Sequence, residues 1–437
     1  FNSDRFAGTL NIFSQDPATG EVRQWTRFDD YDVRYPSMGD GRIVFQYGER
    51  LHVLDLSTGE VRGVEVQLPS DEVPMRPEWV EVKHRGGTFE LSPGGDKALV
   101  EFRGEILVYP TDEGEALNLS RSSGSREKNA VYSPDGKWIA WVSDTSGEEQ
   151  IYRMAADGSG QPRQITHGEG GFLRRLVFSP DSSSLLVGDK FLRLRLVDAE
   201  TGEERLVDQG GWDDAWERWG ITDYVFSPDG KWIAYSKQHE NMSEGIYLAP
   251  REGGEPVRIT DPLYNSWSPS FSPDGAYLYL LSNRSYDPIM GRQDQNHIFL
   301  DMARPYLVLL RDDQASPFRP GTEEPAGGKK EEESVVTRID LDGIQDRILA
   351  CEGVDAGDWW RLEAIEEGFL LLKLAHRDFL KYQNIDDRTW TAADLWKWTL
   401  AEASAKEILP GILNYHLSAD GKKLIYRYDG GVGVVEA

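Results

Sequence analysis

The phrase Ser133-Pro-Asp-Gly-Lys-Trp-Ile-Ala-Trp141 recurs along the chain, almost unchanged at residues 227–235 and with substitutions at residues 272–280. Weaker copies begin at Ser92, Ser179 and Ser418. From the copy at 92 to the copy at 272, the steps are 41, 46, 48 and 45 residues. A period of this length is the signature of a repeat architecture, in which each repeat is one supersecondary unit.

The repeated phrase has the chemistry of a β-hairpin. Pro134 fixes φ at the first position of the turn, and Asp135 followed by Gly136 supplies a residue that adopts positive φ at low cost. Residues 137–141 are rich in β-formers and apolar on both faces. They therefore predict a strand that is packed between two neighbouring sheets.

A second turn motif, Asp-x-x-Thr-Gly-Glu, occurs at residues 16–21, 55–60 and 198–203. Each copy separates two short strand-like runs and places glycine where a tight hairpin needs positive φ. Four strands per repeat, joined by two glycine-dependent hairpins, are typical of a β-propeller blade. The sequence therefore predicts an all-β fold built of four-stranded blades.

The turn phrase marks six blades, and a seventh fits in residues 362–374 and 395–409. Residues 283–334 are interpreted as a flexible insertion, since 317–334 is rich in Pro, Gly, Glu and Lys, with strands resuming at 335–339. We therefore predict a seven-bladed propeller over residues 76–437. The last blade has three strands at most, and residues 79–82 are expected to supply its fourth and close the ring.

Residues 1–75 contain the strands of one to two further blades, at 10–13, 22–26, 42–47 and 51–56. Isolated blades cannot bury their faces alone, so this segment should pack on the flank of the ring or on a second propeller. The chain starts at Phe1 instead of Met and shows no signal peptide. We expect it to begin inside a longer gene product.

The composition excludes some functions. The chain has 48 Lys and Arg against 75 Asp and Glu, a net charge of −27. Such a surface repels phosphate, which excludes a non-specific nucleic-acid binder and argues against docking on anionic membranes. No apolar run reaches the ~18 residues of a transmembrane helix. We expect a cytoplasmic protein that has neither nucleic acid nor a membrane as partner.

Motifs of common catalytic sites are missing from the sequence. It has no Gly-x-Ser-x-Gly nucleophile elbow, phosphate-binding loop, His-Glu-x-x-His or dinucleotide-binding motif. The seven histidines are scattered without metal-ligand spacing, and the single Cys351 excludes an internal disulfide or a cysteine-based metal cluster. We predict no catalytic residue, metal site or cofactor in this chain.

Basic residues before two of the turn phrases are candidates for a channel site, because the innermost strand of each blade lines the central channel. Arg126 and Lys128 precede the second blade, and Arg174 and Arg175 precede the third. In so acidic a protein, such residues could hold the carboxylates of peptides. The alternative is that they are rim residues paired with local Asp and Glu.

The Ser-Pro-Asp-Gly-Lys repeat resembles the propellers of the TolB and dipeptidyl-peptidase group. Three further stretches narrow the resemblance to tricorn-type proteases: Asp29-Asp-Tyr-Asp-Val-Arg-Tyr-Pro36, Met302-Ala-Arg-Pro-Tyr-Leu-Val-Leu-Leu310 and Leu417-Ser-Ala-Asp-Gly-Lys-Lys-Leu-Ile-Tyr426. The resemblance covers essentially the whole chain. Members of that family carry a six-bladed propeller, a seven-bladed propeller, and then PDZ and serine-peptidase domains.

The resemblance implies that residues 1–75 are the last blades of a six-bladed propeller, and that residues 76–437 are an entrance for unfolded peptides. The family's nucleophile lies in domains that this sequence lacks, so no catalytic residue is carried over. Partners implied are peptides or unfolded polypeptide, a peptidase domain and self-association.

Three functions stay open at this point. The first is the non-catalytic gating region of a tricorn-like peptidase, and the second is a TolB-like scaffold for protein interactions. The third, an independent propeller enzyme, needs acids and histidines that converge at one channel mouth, and the sequence alone shows no such cluster.

Overall fold

The computed structural model describes residues 1–67, 69, 86–122, 124–212, 220–290, 297–318, 335–374 and 392–437. Its contacts divide the chain into two compact units, Phe1–Val80 and Glu81–Ala437. The predicted boundary near residue 75 and the predicted closing strand at 79–82 lie outside the described residues.

The first unit consists of two antiparallel sheets. The strands of the first sheet are β1 (Asn2–Phe6), β2 (Thr9–Gln15) and β3 (Val22–Gln24). The strands of the second sheet are β4 (Val33–Gly39), β5 (Arg42–Tyr47), β6 (Arg50–Asp55) and β7 (Val61–Val64). Ile12 packs with Val33, Phe45 and Leu54 in a single buried cluster between the two sheets.

The described residues of the second unit form seven blade-like sheets, numbered blade 1 to blade 7 in chain order. Blade 1 consists of β8 (Gly86–Leu91), β9 (Lys97–Phe102), β10 (Glu105–Pro110) and β11 (Leu117–Asn118). Blade 2 consists of β12 (Glu127–Tyr132), β13 (Trp138–Ser143), β14 (Gln150–Ala155) and β15 (Arg163–Gln164). Blade 3 consists of β16 (Leu173–Phe178), β17 (Ser184–Asp189), β18 (Arg193–Asp198) and β19 (Glu204–Gln209).

Blade 4 consists of β20 (Ile221–Phe226), β21 (Trp232–Gln238), β22 (Glu244–Pro250) and β23 (Val257–Arg258). Blade 5 consists of β24 (Ser266–Phe271), β25 (Tyr277–Asn283), β28 (Ala303–Leu309) and β29 (Ile348–Ala350). A separate hairpin inside blade 5 pairs β26 (Pro288–Met290) with β27 (His297–Phe299). A 3-10 helix, Ile344–Arg347, precedes β29.

Blades 6 and 7 consist of β30 (Trp359–Ile365), β31 (Gly368–Leu374), β32 (Ala393–Thr399) and β33 (Ser404–Ile412); and β34 (Asn414–Leu417), β35 (Lys423–Tyr428) and β36 (Gly431–Glu436). The all-β fold class is confirmed, and the seven sheets are consistent with the seven blades that the repeat predicts.

The repeated phrase forms the predicted hairpin between the first two strands of a blade. In blade 2 the Ser133 hydroxyl donates to Asp135 over 2.6 Å and accepts the backbone N–H of Trp138 over 2.9 Å. Gly136 has a φ of 70° at the turn. The side chain of the serine therefore satisfies a backbone donor that a tight turn leaves unpaired.

The core lies between blades. Every residue of β17 is buried, as the apolar-on-both-faces pattern of second strands predicts. Each pair of neighbouring blades encloses one hydrophobic cluster, and the clusters contain, in ring order from blades 1 and 2, Leu99 with Trp141, Val142 with Leu185, Leu186 with Tyr235, Ile246 with Leu278, Leu281 with Phe369, Leu372 with Leu424, and Ile425 with Val100.

The last of these clusters joins blade 7 to blade 1 and closes the ring. It holds five buried residues, whereas the cluster between blades 5 and 6 holds thirteen. Lys423 donates from Nζ to the carbonyl of Gly95 over 3.2 Å across the same seam. Among the described residues, the cluster at the blade 7/blade 1 interface is therefore the smallest of the seven.

The insertion in blade 5 is more structured than the sequence analysis expected. Residues Ala303–Leu309 lie inside the predicted insertion, yet they form the third strand of the blade and are almost entirely buried. The expected strand at 335–339 is absent from the described residues, and β29 completes the blade instead. The apolar run 306–310 indicates a strand, but Pro305 argues against a strand in the middle of a sheet, because proline cannot donate to the ladder. In the structure the carbonyl of Pro305 accepts the N–H of Cys351.

Candidate functional site in the channel

The innermost strands of several blades share a backbone irregularity. β12, β20, β24 and β30 each contain a shift in strand register. The residues at these bulges with positive φ are Asn129, Asp223, Ser268 and Arg361, at 50–55°. A non-glycine residue rarely adopts this conformation, and bulges of this kind redirect side chains next to functional sites.

In blades 1 to 5 the register shift spans the position four residues before the serine of the turn phrase. Polar residues fill that place in every copy of the phrase: Thr88, Asn129, Arg175, Asp223, Ser268 and Asn414. In blade 6, which lacks the phrase, Arg361 is the bulge residue. The sequence therefore contained a signal for the channel lining, as a polar position at fixed spacing within an otherwise apolar strand.

Hydrogen bonds link the innermost strands to one another. Glu90 of blade 1 accepts the backbone N–H of Tyr132 in blade 2 over 2.9 Å. Asp223 accepts the N–H of Ser268 over 3.0 Å, and the Ser268 hydroxyl accepts the N–H of Leu362 over 3.0 Å. These contacts satisfy backbone donors of the innermost strands and link adjacent blades.

A cavity of about 370 Å³ lies among these strands. Its walls come from the innermost strands of blades 1, 2, 3, 6 and 7, and from the turns that follow some of them. The charged and polar residues of the lining include Glu90, Asn129, Tyr132, Arg175, Arg361, Asn414 and His416. The volume is within the ~300–1,000 Å³ range of ligand pockets. We refer to it as the channel cavity.

Arg361 organises one wall of the channel cavity. Its guanidinium donates to the Asn414 side chain over 2.6 Å, lies 3.2 Å from His416 Nδ1 and is 3.7 Å from Glu363 Oε2. It also packs 4.8 Å from the ring centroid of Tyr415. Every side of this guanidinium is therefore engaged within the protein.

Two titratable groups in the cavity have shifted pKa values. Burial raises the pKa of Glu90 to about 7, against the opposing effects of the Tyr132 N–H and the charge of Arg175. Burial, together with the charges of Arg361 and Arg175, holds the pKa of His416 well below its ordinary value. Below neutral pH Glu90 is mostly protonated. The surroundings of His416 favour its neutral form.

The four basic residues singled out in the sequence lie in different environments. Lys128 is buried, with Nζ 2.7 Å from Glu149 and 3.6 Å from the ring centroid of Phe172. Arg126 is exposed just before β12, where its N–H donates to Asp144. Lys128 thus has the local carboxylate partner of the alternative interpretation.

The other two residues are adjacent in β16. Arg174 is half-buried and packs beside Gly188 and Tyr224. Arg175 is exposed and lines the channel cavity, and its carbonyl accepts the hydroxyl of Tyr224. Of the four residues, Arg175 alone is in the lining of this cavity.

Sequence reasoning did not find Glu90, Glu363, Arg361 or His416 as a group. The ring brings Glu90, Arg361 and His416 to one cavity although they lie in blades 1, 6 and 7, and Glu363 pairs with Arg361. The convergent acids and histidine that an independent propeller enzyme needs are therefore partly present. However, His416 is hydrogen-bonded to Arg361, and Glu90 accepts a backbone N–H. Neither group is therefore hydrogen-bonded to the other as an acid–base pair would be.

Two features are absent from the described residues. No group of three or more His, Cys, Asp or Glu is placed to hold a metal ion in that part of the chain. Over the same residues, no helix is long and apolar enough to cross a membrane.

Comparison with known proteins gives consistent results. The family model "Tricorn protease second beta propeller domain" matches residues 87–437. A putative Tricorn-like protease C-terminal subunit of Sulfurisphaera tokodaii is 29% identical over 365 residues, covering 84% of this chain and 40% of that protein. Tricorn protease homolog 1 of Streptomyces coelicolor is 28% identical over 443 residues, covering 98% of this chain and 41% of that protein.

A solved structure supports the same fold. The crystal structure of the tricorn protease aligns with the whole chain at a TM-score of 0.69 and 21% identity, and the alignment covers 41% of that protein. Fold and cavity define a β-propeller whose innermost strands line a cavity with polar residues. The chain belongs to the family of the tricorn protease second β-propeller domain. It spans about two fifths of the length of the relatives it matches.

Proposed function

We propose that this propeller guides unfolded peptides through its channel to a proteolytic site located outside this chain. The observation that carries the proposal is the match of residues 87–437 to a propeller domain of tricorn proteases. A polar cavity among the innermost strands supports it, since a passage for peptides needs polar groups to bind main-chain amides and carboxylates.

Arg126, Lys128, Arg174 and Arg175 remain the proposed peptide-contacting residues, and Arg175 is the best placed. Arg126 is exposed next to the start of β12 and can meet a peptide there. Lys128 and Arg174 are more enclosed and act on a peptide through their charge. We further propose a peptidase domain as partner, with self-association as an additional interaction, and a cytoplasmic location.

Peptide binding without cleavage tests the proposal. Purified chain 1–437 is mixed with fluorescently labelled unfolded peptides, and anisotropy is measured in parallel with hydrolysis of internally quenched versions. We expect binding that saturates and no hydrolysis above the buffer rate. Hydrolysis that persists with serine-peptidase inhibitors would show an enzyme in this chain. Absence of binding, with a protein partner recovered instead, would favour the TolB-like scaffold.

A further inference from the structure

Arg175 has no partner for its charge within the described part of the chain. No carboxylate there lies within ion-pair distance of its guanidinium, and no side-chain hydrogen bond engages it. By contrast, Arg361 in the same cavity is held by Asn414, His416 and Glu363. Arg175 therefore differs from Arg361 in that its guanidinium is exposed and open to an anionic ligand.

The groups around Arg175 reinforce its positive potential at acidic to neutral pH. Among the charged residues of the cavity lining, Arg175 and Arg361 are cations and Glu90 is the carboxyl group. Glu363 is paired with Arg361, and Glu90 accepts the N–H of Tyr132. When Glu90 is protonated, the charge of Arg175 is therefore left uncompensated.

A second group in the wall also lacks a partner. The side chain of Tyr132 is 7% exposed and lines the cavity, and its hydroxyl has no hydrogen-bond partner among the described residues. A buried hydroxyl without a partner costs about 1–3 kcal/mol, so native proteins rarely retain one without cause. Apolar side chains of Leu91, Val177 and Phe178 complete the lining.

We propose that the channel cavity binds a peptide through a carboxylate group, with the guanidinium of Arg175 as its ion-pair partner and the hydroxyl of Tyr132 as an additional donor. Guanidinium binds carboxylate by two parallel hydrogen bonds, which gives direction as well as affinity. The apolar wall accommodates the neighbouring side chain of the peptide. This inference rests on the proposed passage of peptides and names the chemical group that the channel recognises.

Three short peptides test it on the full chain 1–437. All are N-acetylated tetrapeptides of Ala and Gly: one has a free C-terminal carboxylate, one is the C-terminal amide, and one is an amide that contains a single Asp. Dissociation constants are measured by calorimetry at pH 6 and low salt. We expect the free acid or the Asp peptide to bind at least about tenfold more tightly than the neutral amide. The two arms separate a terminal carboxylate from a side-chain carboxylate.

The variant Arg175→Gln should remove that preference, so that the three peptides bind with similar affinity. The matched control is Arg103→Gln, in the exposed turn between β9 and β10 and outside the cavity lining. Circular dichroism and unfolding midpoints confirm that both variants are folded. Equal binding of all three peptides, or an unchanged preference in Arg175→Gln, would overturn the inference. If no peptide binds at all, the proposed function fails instead.

The pH dependence gives an independent readout. Arg175 of blade 3, Glu363 of blade 6 and the Tyr132 N–H of blade 2 act on Glu90, and Arg361 and His416 line the same cavity. When Glu90 ionises, it competes for Arg175 and repels a ligand carboxylate. Affinity for the carboxylate peptide should fall by at least about threefold from pH 6 to pH 8. The variant Glu90→Gln should bind the carboxylate peptide with the same affinity at pH 6 and at pH 8. A fall in affinity in that variant as large as in the native chain would contradict the assigned geometry.

Discussion

At the scale of single residues, the repeat depends on side chains that complete tight turns. Ser133, Ser227 and Ser272 each use one hydroxyl to donate to an aspartate and to accept a backbone N–H. These contacts are local in sequence, and for that reason the turn could be predicted. Whether a glycine in another hairpin can be replaced depends on which atoms of the neighbouring blade lie next to it. The local sequence does not indicate those atoms.

Gly202 illustrates this dependence. Its φ is 75°, and a Cβ there would lie 1.9 Å from the carbonyl oxygen of Ile165 in blade 2. Gly160, in the corresponding hairpin of blade 2, has a φ of 82° but nothing within 4 Å of such a Cβ. Gly160→Ala should cost about 1 kcal/mol for positive φ. Gly202→Ala should cost about 1–3 kcal/mol more, because backbone must move. Urea unfolding checks both, and equal losses would contradict the close approach.

Glu90 predicts how stability varies with pH. Its pKa is raised from 4.5 to about 7 in the folded chain, so the folded state holds the proton more tightly than the unfolded one. The resulting stabilisation is present below pH 4.5 and is lost as pH rises to about 7. Glu90→Gln should therefore be more stable than the native chain by ~2–3 kcal/mol at pH 8 and similar to it at pH 5. The test is to measure the free energies of unfolding of the native chain, of this variant and of the exposed-loop control Glu115→Gln at both pH values. A stability difference between Glu90→Gln and the native chain that does not change with pH would contradict the prediction.

At the scale of elements, each blade depends on its neighbours. The second strands are apolar on both faces because each face meets a different hydrophobic cluster, as Trp141 and Val142 of β13 do. The sequence predicted these strands and their turns. It did not predict β28, because Pro305 interrupts the run, nor the unequal size of the seven interfaces, which depends on contacts between distant residues.

The seam between blade 7 and blade 1 should open before other interfaces. In the described part of the chain, its hydrophobic cluster is the smallest of the seven and blade 7 has three strands. In native-state hydrogen exchange, the amides of β35 should exchange at least about tenfold faster than those of β21, a difference of ~1.4 kcal/mol in the free energy of opening. Equal protection of the two strands would contradict the prediction and would indicate that residues outside those described reinforce the seam.

At the scale of the whole molecule, the seven interblade clusters all lie within Glu81–Ala437. Each blade buries its faces only against neighbours, so 437 residues need no single large core. Much of the acidity resides in turns such as Asp135-Gly136, where the carboxylate accepts local hydrogen bonds. The exclusion of nucleic acid therefore remains a prediction from net charge.

Residues 81–437 alone should fold. Since every interface of the ring is contained in that unit, removal of residues 1–80 should leave the near-ultraviolet circular dichroism of the ring intact. The midpoint of its thermal transition should change by no more than about 3 °C. A shortened chain that aggregates or lacks a cooperative transition would show that the first unit is needed for the ring.

The sequence by itself determined the blade repeat, the hairpins and the all-β class, because turn chemistry and strand patterns act over a few residues. It also placed a polar residue at a fixed position in each innermost strand. Only the tertiary structure decided that Glu90, Arg175, Arg361 and His416 share one cavity. The physical reason is ring closure: blade 7 packs on blade 1, so residues more than three hundred positions apart meet. Some cations have a local carboxylate partner, as Lys128 does, and others have no ion-pair partner among the described residues, as is the case for Arg175; that difference follows from the packing.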